Sequence, residues 1–427
     1  MSLALSPLRL PGIGVRPASL LAALDIGTSK IACLIAVARP DGGLELVGRG
    51  LQAADGIDGG EIVDLEAAEA AIRAVLQEAE DEAGQMVETV IASVGAGRPH
   101  SVLLEVERAL GGQTVDAECM HAVLERARLE VARQGLAVLH RVALEARVDD
   151  GRPVEDPRGL SGSRLRVLVH LVVARREPLQ RVLRVLERCH LEVRALVAAP
   201  YAAGLGCLFP DERERGCLVV DMGAQATHVA HFTADKLAWI DRIDLGGERI
   251  THDIAWGLEI DRKLAERVKS LYGAVVWRAC DDHVRIRLEP GDGFDPPTGE
   301  VPRTRLTTIV RARAEEILEA VASRLRERGA ILRARPPRSI VLTGGSAQLE
   351  GMDELAREIF GLPARIGRPR PAAVALRTDQ DPALASALGA LLVQTAEPGD
   401  ESPLASDGRR GVGERLGRLR AWLKSNF

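Results

Sequence analysis

The apolar positions of this chain alternate between a period of two and a period near 3.6, and the switches mark out its elements. Residues 21–37, LAALDIGTSKIACLIAV, set apolar and β-branched side chains on both sides of a Gly-Thr-Ser turn. That pattern predicts strand, tight turn, strand. Leu44 to Gln52 predicts a third strand of the same sheet. From Asp64 the spacing becomes helical: Leu65, Ala68, Ile72, Val75, Leu76 and Ala79 share one face, Asp64 can cap the start and Gly84 ends it. Residues 87–110 return to a strand pattern with Gly breaks. A helix is predicted over 116–134, with Met120, Val123, Leu124, Ala127 and Val131 on one face. Strands follow at 136–149 and 164–174, bridged by the turn-rich DDGRPVEDPRGLSG. This block, 86–166, has its own strand–helix–strand order and reads as a small inserted unit.

Further along, 178–190 predicts a helix, LEVRALVAA a strand, and 200–209 a helix with Pro200 in its first turn. Residues 217–232 repeat the strand–turn–strand grammar of 21–37. Residues 246–272 read as helical, 283–288 as a strand, and 290–302 as a Pro/Gly loop. A long helix is expected at 304–328, with Ile309, Ile317, Val321 and Leu325 inward and Gly329 closing it. Residues 339–360 read as a buried strand, a Gly-Gly turn and a helix beginning near Ser346. Asp381 caps a last core helix with Pro382 at its first position. Residues 1–19 are expected to be a loose leader, and the polar, Pro/Gly/Ser-rich 397–411 a flexible linker.

Composition narrows the function. A length of 427 residues allows two or three domains, and 46% apolar with 27% charged residues suits a globular chain with a real core. The net charge of −5 argues against nucleic acid as the main partner. No stretch of about 18 apolar residues lacks charge, so no spanning helix is expected. The first residues, with Arg9, Arg16 and only a short apolar run ending at Asp25, do not form a secretory signal. The six Cys are scattered with no C-x-x-C pair, which fits free thiols with neither disulfides nor a zinc site. His228 and His231 fall on opposite faces of one predicted strand and are read as structural.

The candidate chemistry lies in a distant internal repeat. Asp25-Ile26-Gly27-Thr28-Ser29-Lys30 and Asp221-Met222-Gly223-Ala224-Gln225 share strand-D-x-G-turn-strand. Each turn can present a carboxylate beside backbone N–H groups, and successive amides form a nest for phosphate. Two such turns facing each other would clamp a triphosphate, with Asp25 and Asp221 holding Mg2+ through its waters, because that ion dehydrates reluctantly. Singly, each turn is an ordinary hairpin with an aspartate at a strand end. A third element completes the set: Leu342-Thr343-Gly344-Gly345-Ser346, where two Gly at a strand end would let an adenosine lie against the backbone. No G-x-x-x-x-G-K-[ST] loop, G-x-G-x-x-G fingerprint or G-x-S-x-G elbow occurs.

The C-terminus carries a different signal. Val412, Leu416, Leu419, Leu423 and Phe427 recur at helical spacing with Trp422 beside them, while Arg415, Arg418, Arg420 and Lys424 flank them. A basic amphipathic helix with an aromatic anchor, behind a linker, reads as a membrane-surface helix.

In this order, DIGTSK, the DMG repeat and LTGGSAQLEGM resemble the actin/heat-shock-chaperone/sugar-kinase ATPase superfamily. Within it the chain is similar to the bacterial actin-like FtsA family, through DPRGLSG at 156–162, AERVKSLYG at 265–273 and the tail GRLRAWLKSNF. The resemblance implies an α/β, two-lobed actin-like ATPase fold with an inserted 1C-type (SHS2) subdomain and a C-terminal amphipathic helix. Lobe one would be 20–85, 167–200 and 376–396, the insert 86–166, lobe two 201–249 and 331–375, and an outer piece 250–330. ATP with Mg2+ would bind between the lobes. Gly27, Thr28, Ser29, Lys30, Gly223, Ala224 and Gln225 would take its phosphates; Gly246, Gly247, Glu266, Lys269, Gly344, Gly345 and Ser346 its adenosine. Implied partners are the FtsZ C-terminal peptide through the outer piece, further copies of the chain in filaments, other division proteins, and anionic lipid at the cytoplasmic face of the inner membrane at the septum. One departure stands out. The family's second turn usually runs D-x-G-G-G-T, where this chain has Ala224-Gln225-Ala226. A side chain at a positive-φ position would be strained, and Gln225 would crowd the terminal phosphate, so ATP turnover is expected to be weak or absent. Two other readings use the same fold: a PilM-like pilus assembly protein, which should lack the tail, and a metabolic phosphotransferase, which would need a positioned base.

Overall fold

The computed structural model describes residues 20–39, 43–288, 299–328, 335–369, 374–375 and 381–393. The leader, the linker 397–411, the tail 412–427, Gly329 and most of the 290–302 loop lie outside these.

The chain begins with β1 (Leu20–Ile26), β2 (Lys30–Ala38) and β3 (Leu44–Ala53), then the short β4 (Ile57–Asp58) and β5 (Glu61–Ile62). Helix α1 (Leu65–Ala83) starts where the Asp64 carboxylate accepts from the Glu66 and Ala67 amides, and stops at Gly84 in the left-handed region. Then come β6 (Thr89–Val94), β7 (His100–Ala109), α2 (Ala117–Ala132), β8 (Leu136–Val148), β9 (Arg164–Arg175), α3 (Arg176–Arg188) and β10 (Glu192–Ala198). Helices α4 (Ala199–Cys207) and α5 (Pro210–Arg215) lead into β11 (Cys217–Met222), β12 (Thr227–Thr233) and β13 (Lys236–Ile243). The remainder is α6 (Gly247–Leu258), α7 (Arg262–Tyr272), β14 (Arg285–Arg287), β15 (Glu300–Pro302), α8 (Arg303–Glu327), β16 (Ser339–Thr343), α9 (Met352–Phe360), β17 (Ala364–Ile366), β18 (Val374–Ala375) and α10 (Ala385–Val393).

Two mixed sheets form the lobes. The first runs β10-β6-β1-β2-β3-β18 and the second β13-β12-β11-β16-β17. In both, an antiparallel hairpin (β1–β2, β11–β12) continues on its other side into a parallel neighbour (β6, β16). A separate sheet, β7-β9-β8, packs on α2 through Met120, Val123, Leu124 and Val131. This is the inserted unit, and its limits differ from the expected 86–166. Strand β6 pairs with β1 and β10 and so belongs to lobe one, whereas β9 lies wholly in the insert. Strand β18 likewise joins β3 in lobe one rather than lobe two. Both differences have one cause: apolar alternation shows that a strand exists but not which sheet it pairs with.

The expected single helical stretch 246–272 is two helices. Glu259 caps α6 in the left-handed conformation, and the Asp261 carboxylate caps α7 by accepting from the Lys263 and Leu264 amides. Strand β13 and helix α5 add to the expected elements. In α8 the inward face is Leu306, Val310, Ala314, Ile317, Leu318 and Val321, with Ile309 and Leu325 only partly buried.

The lobes meet along α4 and α10. A Cβ on Gly389 would lie 1.7 Å from the Ala202 carbonyl oxygen, and one on Gly206 2.0 Å from that of Ala385. These two helices therefore touch backbone to backbone and could not approach so closely with larger residues. Their apolar flanks join one core that draws from both lobes, including Leu24, Ile91, Phe232, Ile240 and Val341.

Candidate functional site

The two D-x-G turns have the same internal construction. Gly27 N donates to the Lys30 carbonyl at 3.1 Å, and Gly223 N to the Ala226 carbonyl at 3.0 Å. Register is equivalent too: Ile26 pairs with Ile31, and Met222 with Thr227, each five residues on. A Cβ on either Gly would press against that carbonyl, at 2.8 and 2.9 Å. The parallel strand beside each aspartate contributes a hydroxyl residue in register, Ser93 next to Asp25 and Thr343 next to Asp221.

The turns open onto one interlobe cleft of about 860 Å3, within the size range of ligand sites. It is lined by Asp25, Gly27, Thr28, Ser29 and Lys30 from lobe one, and by Asp221, Gly223, Ala224, Gln225, Gly247, Glu266, Lys269, Gly344, Gly345 and Ser346 from lobe two. Of the candidate phosphate, adenosine and metal residues, only Gly246 stands outside this wall. It is the residue before α6, with extended backbone, and a Cβ there would meet the Ala224 carbonyl at 2.5 Å. The first N–H groups of α6 are spent on the second turn: Gly247 N donates to the Gly223 carbonyl at 2.9 Å and Glu248 N to that of Ala224 at 2.8 Å.

Burial pushes the Asp25 carboxyl up to about 6, against the pull of Ser93 and Lys30. Asp221 rises to about 7, first through burial and then through the negative charge of Asp25. Two carboxylates held this way lack cation charge that a ligand could supply. Lys30, in the same wall, pulls both carboxyls down, but by less than burial raises them. On the far wall Lys269 Nζ donates to Glu266 at 2.7 Å, to Thr251 Oγ1 at 2.8 Å and to the Gly247 carbonyl at 3.2 Å, so it ties α7 to α6.

Gly344 has φ +85, and a Cβ there would lie 2.5 Å from Asp221 Oδ1. Gly345 faces open space, with nothing within 4 Å. The helix expected near Ser346 is a single 3-10 turn over Gly345–Gln348, and α9 starts only at Met352. Leu349 after this turn is extended and Gly351 is left-handed (φ +83), so the chain reverses between the 3-10 turn and α9, and Gly351 stands immediately before that helix.

The strain considered for the second turn does not arise: neither Ala224 nor Gln225 is among the positive-φ residues. The Gln225 side chain crosses the cleft instead, with Nε2 donating to Asp58 Oδ1 at 2.9 Å and Oε1 accepting from Gly59 N. Thr227 points away and donates to the Leu245 carbonyl at 2.8 Å.

Sequence reasoning missed several wall residues: Gly59, Gly60, Gly95, His228, Arg242, Glu248, Arg262 and Lys263. The Gly59-Gly60 pair was a legible hairpin signal, with φ +59 and +80 as a two-residue turn of this type requires. His228 is held neutral, pushed down to about 3 by burial and then by Arg242. Nothing in a single sequence marked it as facing a cleft.

Residues 218–389 match the family model described as cell division protein FtsA, and residues 96–173 the one for the SHS2 domain inserted in FtsA. The second range agrees with the insert drawn from sheet pairing. Over 98% of this chain and 97% of its relative, the sequence is 34% identical to the cell division protein FtsA of Agrobacterium fabrum. Against the Escherichia coli K12 protein of the same name it is 30% identical, covering 96% and 98%. Among solved structures, the PilM-PilN type IV pilus biogenesis complex superposes with TM-score 0.63 at 20% identity, covering 89% of this chain and all of that one. Spiroplasma citri MreB5 bound to ADP gives 0.51 at 15% identity, covering 88% and 96%. These structural likenesses establish an actin-like fold and no more, so the PilM-like reading keeps only its fold. The near full-length matches and the inserted domain go further: this chain belongs to the FtsA family of cell division proteins.

Proposed function

We propose that the cleft binds ATP with Mg2+ and that the chain is an actin-like scaffold of the division machinery, bound peripherally to the cytoplasmic face of the inner membrane at the septum. The observation that carries this reading is the pair of equivalently built turns that bring Asp25, Asp221 and Lys30 to one cleft floor. Gly27 and Gly223 let their turns close tightly on the Lys30 and Ala226 carbonyls at the cleft wall, and Gly345 leaves an open shelf for the adenosine side. Glu266 and Lys269 stand on that same side.

The donor set fits Mg2+. Two carboxylates and no cluster of three metal-ligating side chains among the described residues suit an ion that keeps its waters and takes phosphate oxygens. Bound there, Mg2+ would neutralise phosphate charge and let Asp25 and Asp221 both ionise. Isothermal titration with ATP, with and without Mg2+, tests the reading. Saturable binding that needs the metal supports it, and no binding to the full chain under either condition overturns it.

Two contacts with partners extend the proposal. In the outer piece the Trp256 indole is 82% exposed beside Ile260, and Arg305 Nη2 is fixed by donation to the Gly257 carbonyl at 2.7 Å. An exposed indole beside a fixed guanidinium suits an apolar and acidic peptide end, as the FtsZ C-terminal peptide would present. Loss of peptide binding in Trp256→Ala, with an unchanged melt, is the expected result. The tail 412–427 would supply the lipid contact, and self-association would gather many tails at one membrane.

A further inference from the structure

We propose that Gln225 is a latch between the lobes, holding the Asp58–Gly59 hairpin tip against the second turn and gating entry to the cleft. Gln225 stands on lobe two. Its carboxamide donates to Asp58 Oδ1 at 2.9 Å and accepts from Gly59 N, both on lobe one, and also donates to Glu248 Oε2 at 3.3 Å on its own lobe. Every polar atom of the carboxamide is therefore used, and two of its three contacts cross the cleft.

The hairpin itself needs such support. Strands β4 and β5 are two residues each, and a two-stranded ribbon this short is unstable alone. Lobe one holds its stem: Ile62 is buried, its carbonyl accepts from Arg181 Nη1 at 3.3 Å, Glu61 pairs with Arg175, and the Val63 and Asp64 amides donate to the Gly56 carbonyl. Its tip has Gly59 and Gly60 at positive φ and reaches over the cleft. From the opposite lobe Gln225 bonds to that tip, and Arg242 Nη1 comes up beside it, 3.5 Å from where a Cβ on Gly60 would stand. A glycine or alanine at 225 has no atoms to make these bonds, so the substituted second turn is a contact surface rather than a damaged one.

The bond to Gly59 N also occupies an amide that lines the same wall as the phosphate turns. A ligand that needs this wall must first displace the carboxamide. That consequence rests on the reading of the cleft as a nucleotide site; the latch does not.

The test compares the full-length protein with Gln225→Ala, Gln225→Glu and Asp58→Ala, the last at an exposed position that leaves the cleft wall unaltered. Hydrogen exchange without nucleotide reads the latch. Loss of one or two such bonds should speed exchange of the 56–62 segment roughly five- to thirtyfold in all three variants. Gln225→Glu should be no better than Gln225→Ala, because its carboxylate would face Asp58 and Glu248. Release of a fluorescent ATP analogue should speed up by a similar factor. Unchanged exchange over 56–62 in the variants that fold overturns the latch. Faster exchange with unchanged release overturns the gate. Faster exchange with no nucleotide binding in any form upholds the latch and sinks the nucleotide reading instead.

Discussion

Asp25 and Asp221 occupy the same register position in two different sheets, each one residue before the end of the strand that leads into a D-x-G turn, and the charge of one raises the pKa of the other. Burial is the larger cause of the rise in each, so the cleft favours the protonated form of both carboxyls more than water does.

Mg2+-nucleotide binding should therefore depend on pH. Metal binding requires both carboxylates ionised. With Asp25 near 6 and Asp221 near 7, apparent affinity should fall as pH drops from 8 to 6. Titration calorimetry at a series of pH values checks this. Asp25→Ala should weaken binding tenfold or more at pH 8, on the order of 1.4 kcal/mol. A flat profile and an unchanged affinity would remove both residues from the site.

Stability should move the other way. An acid whose folded pKa lies above its unfolded value binds more protons when folded, so folding stability falls as pH rises through that range. Both groups are raised, so the ligand-free protein should lose stability between about pH 4 and 7 on their account. Asp221→Asn should therefore stabilise the ligand-free protein at pH 8, by on the order of 1–2 kcal/mol after solvent screening, and change it little at pH 4. Thermal melts at the two pH values give the comparison.

The two Gly of the third turn should respond differently to Ala. Gly344→Ala places a methyl in the left-handed region and against Asp221 Oδ1, which should cost about 1–3 kcal/mol and disturb the aspartate. Gly345→Ala meets open space, so it should melt like the parent protein yet weaken nucleotide binding.

Gly389→Ala should be among the most damaging small substitutions. Its methyl would overlap the Ala202 carbonyl oxygen, and the helices that join both lobes would have to part. Overpacking of this kind costs typically about 1–3 kcal/mol or more, visible as a drop in the melting transition of the whole body.

Residues 412–427 are expected to bind anionic vesicles as a helix in the headgroup plane. Each basic residue near anionic lipid adds about 1 kcal/mol, and each apolar side chain at most about 1.5–3 kcal/mol. Trp422→Glu should abolish co-sedimentation and leave the melt unchanged. A sharp fall in the melt would mean the tail packs on the body instead.

Much of this protein was legible along the chain because the relevant physics is local. Alternating apolar residues make a strand wherever it pairs, Asp64 and Asp381 cap the helical turns that begin beside them, and a D-x-G turn closes on itself through Gly27 or Gly223 alone. The features decided by tertiary structure depend on residues far apart in sequence. Sheet membership of β6 and β9 is set by which edge is free, so alternation could not assign it. The break at Glu259 was hidden because both flanking segments are amphipathic and α6 and α7 pack together. The face that Gln225 shows was equally hidden: in sequence it is a bulky residue in a phosphate turn, and only the approach of Asp58 and Gly59, more than 160 residues away, makes it a contact between lobes. The pKa values of Asp25 and Asp221 belong to the same class, because desolvation and charge coupling exist only once the two lobes close on one cleft.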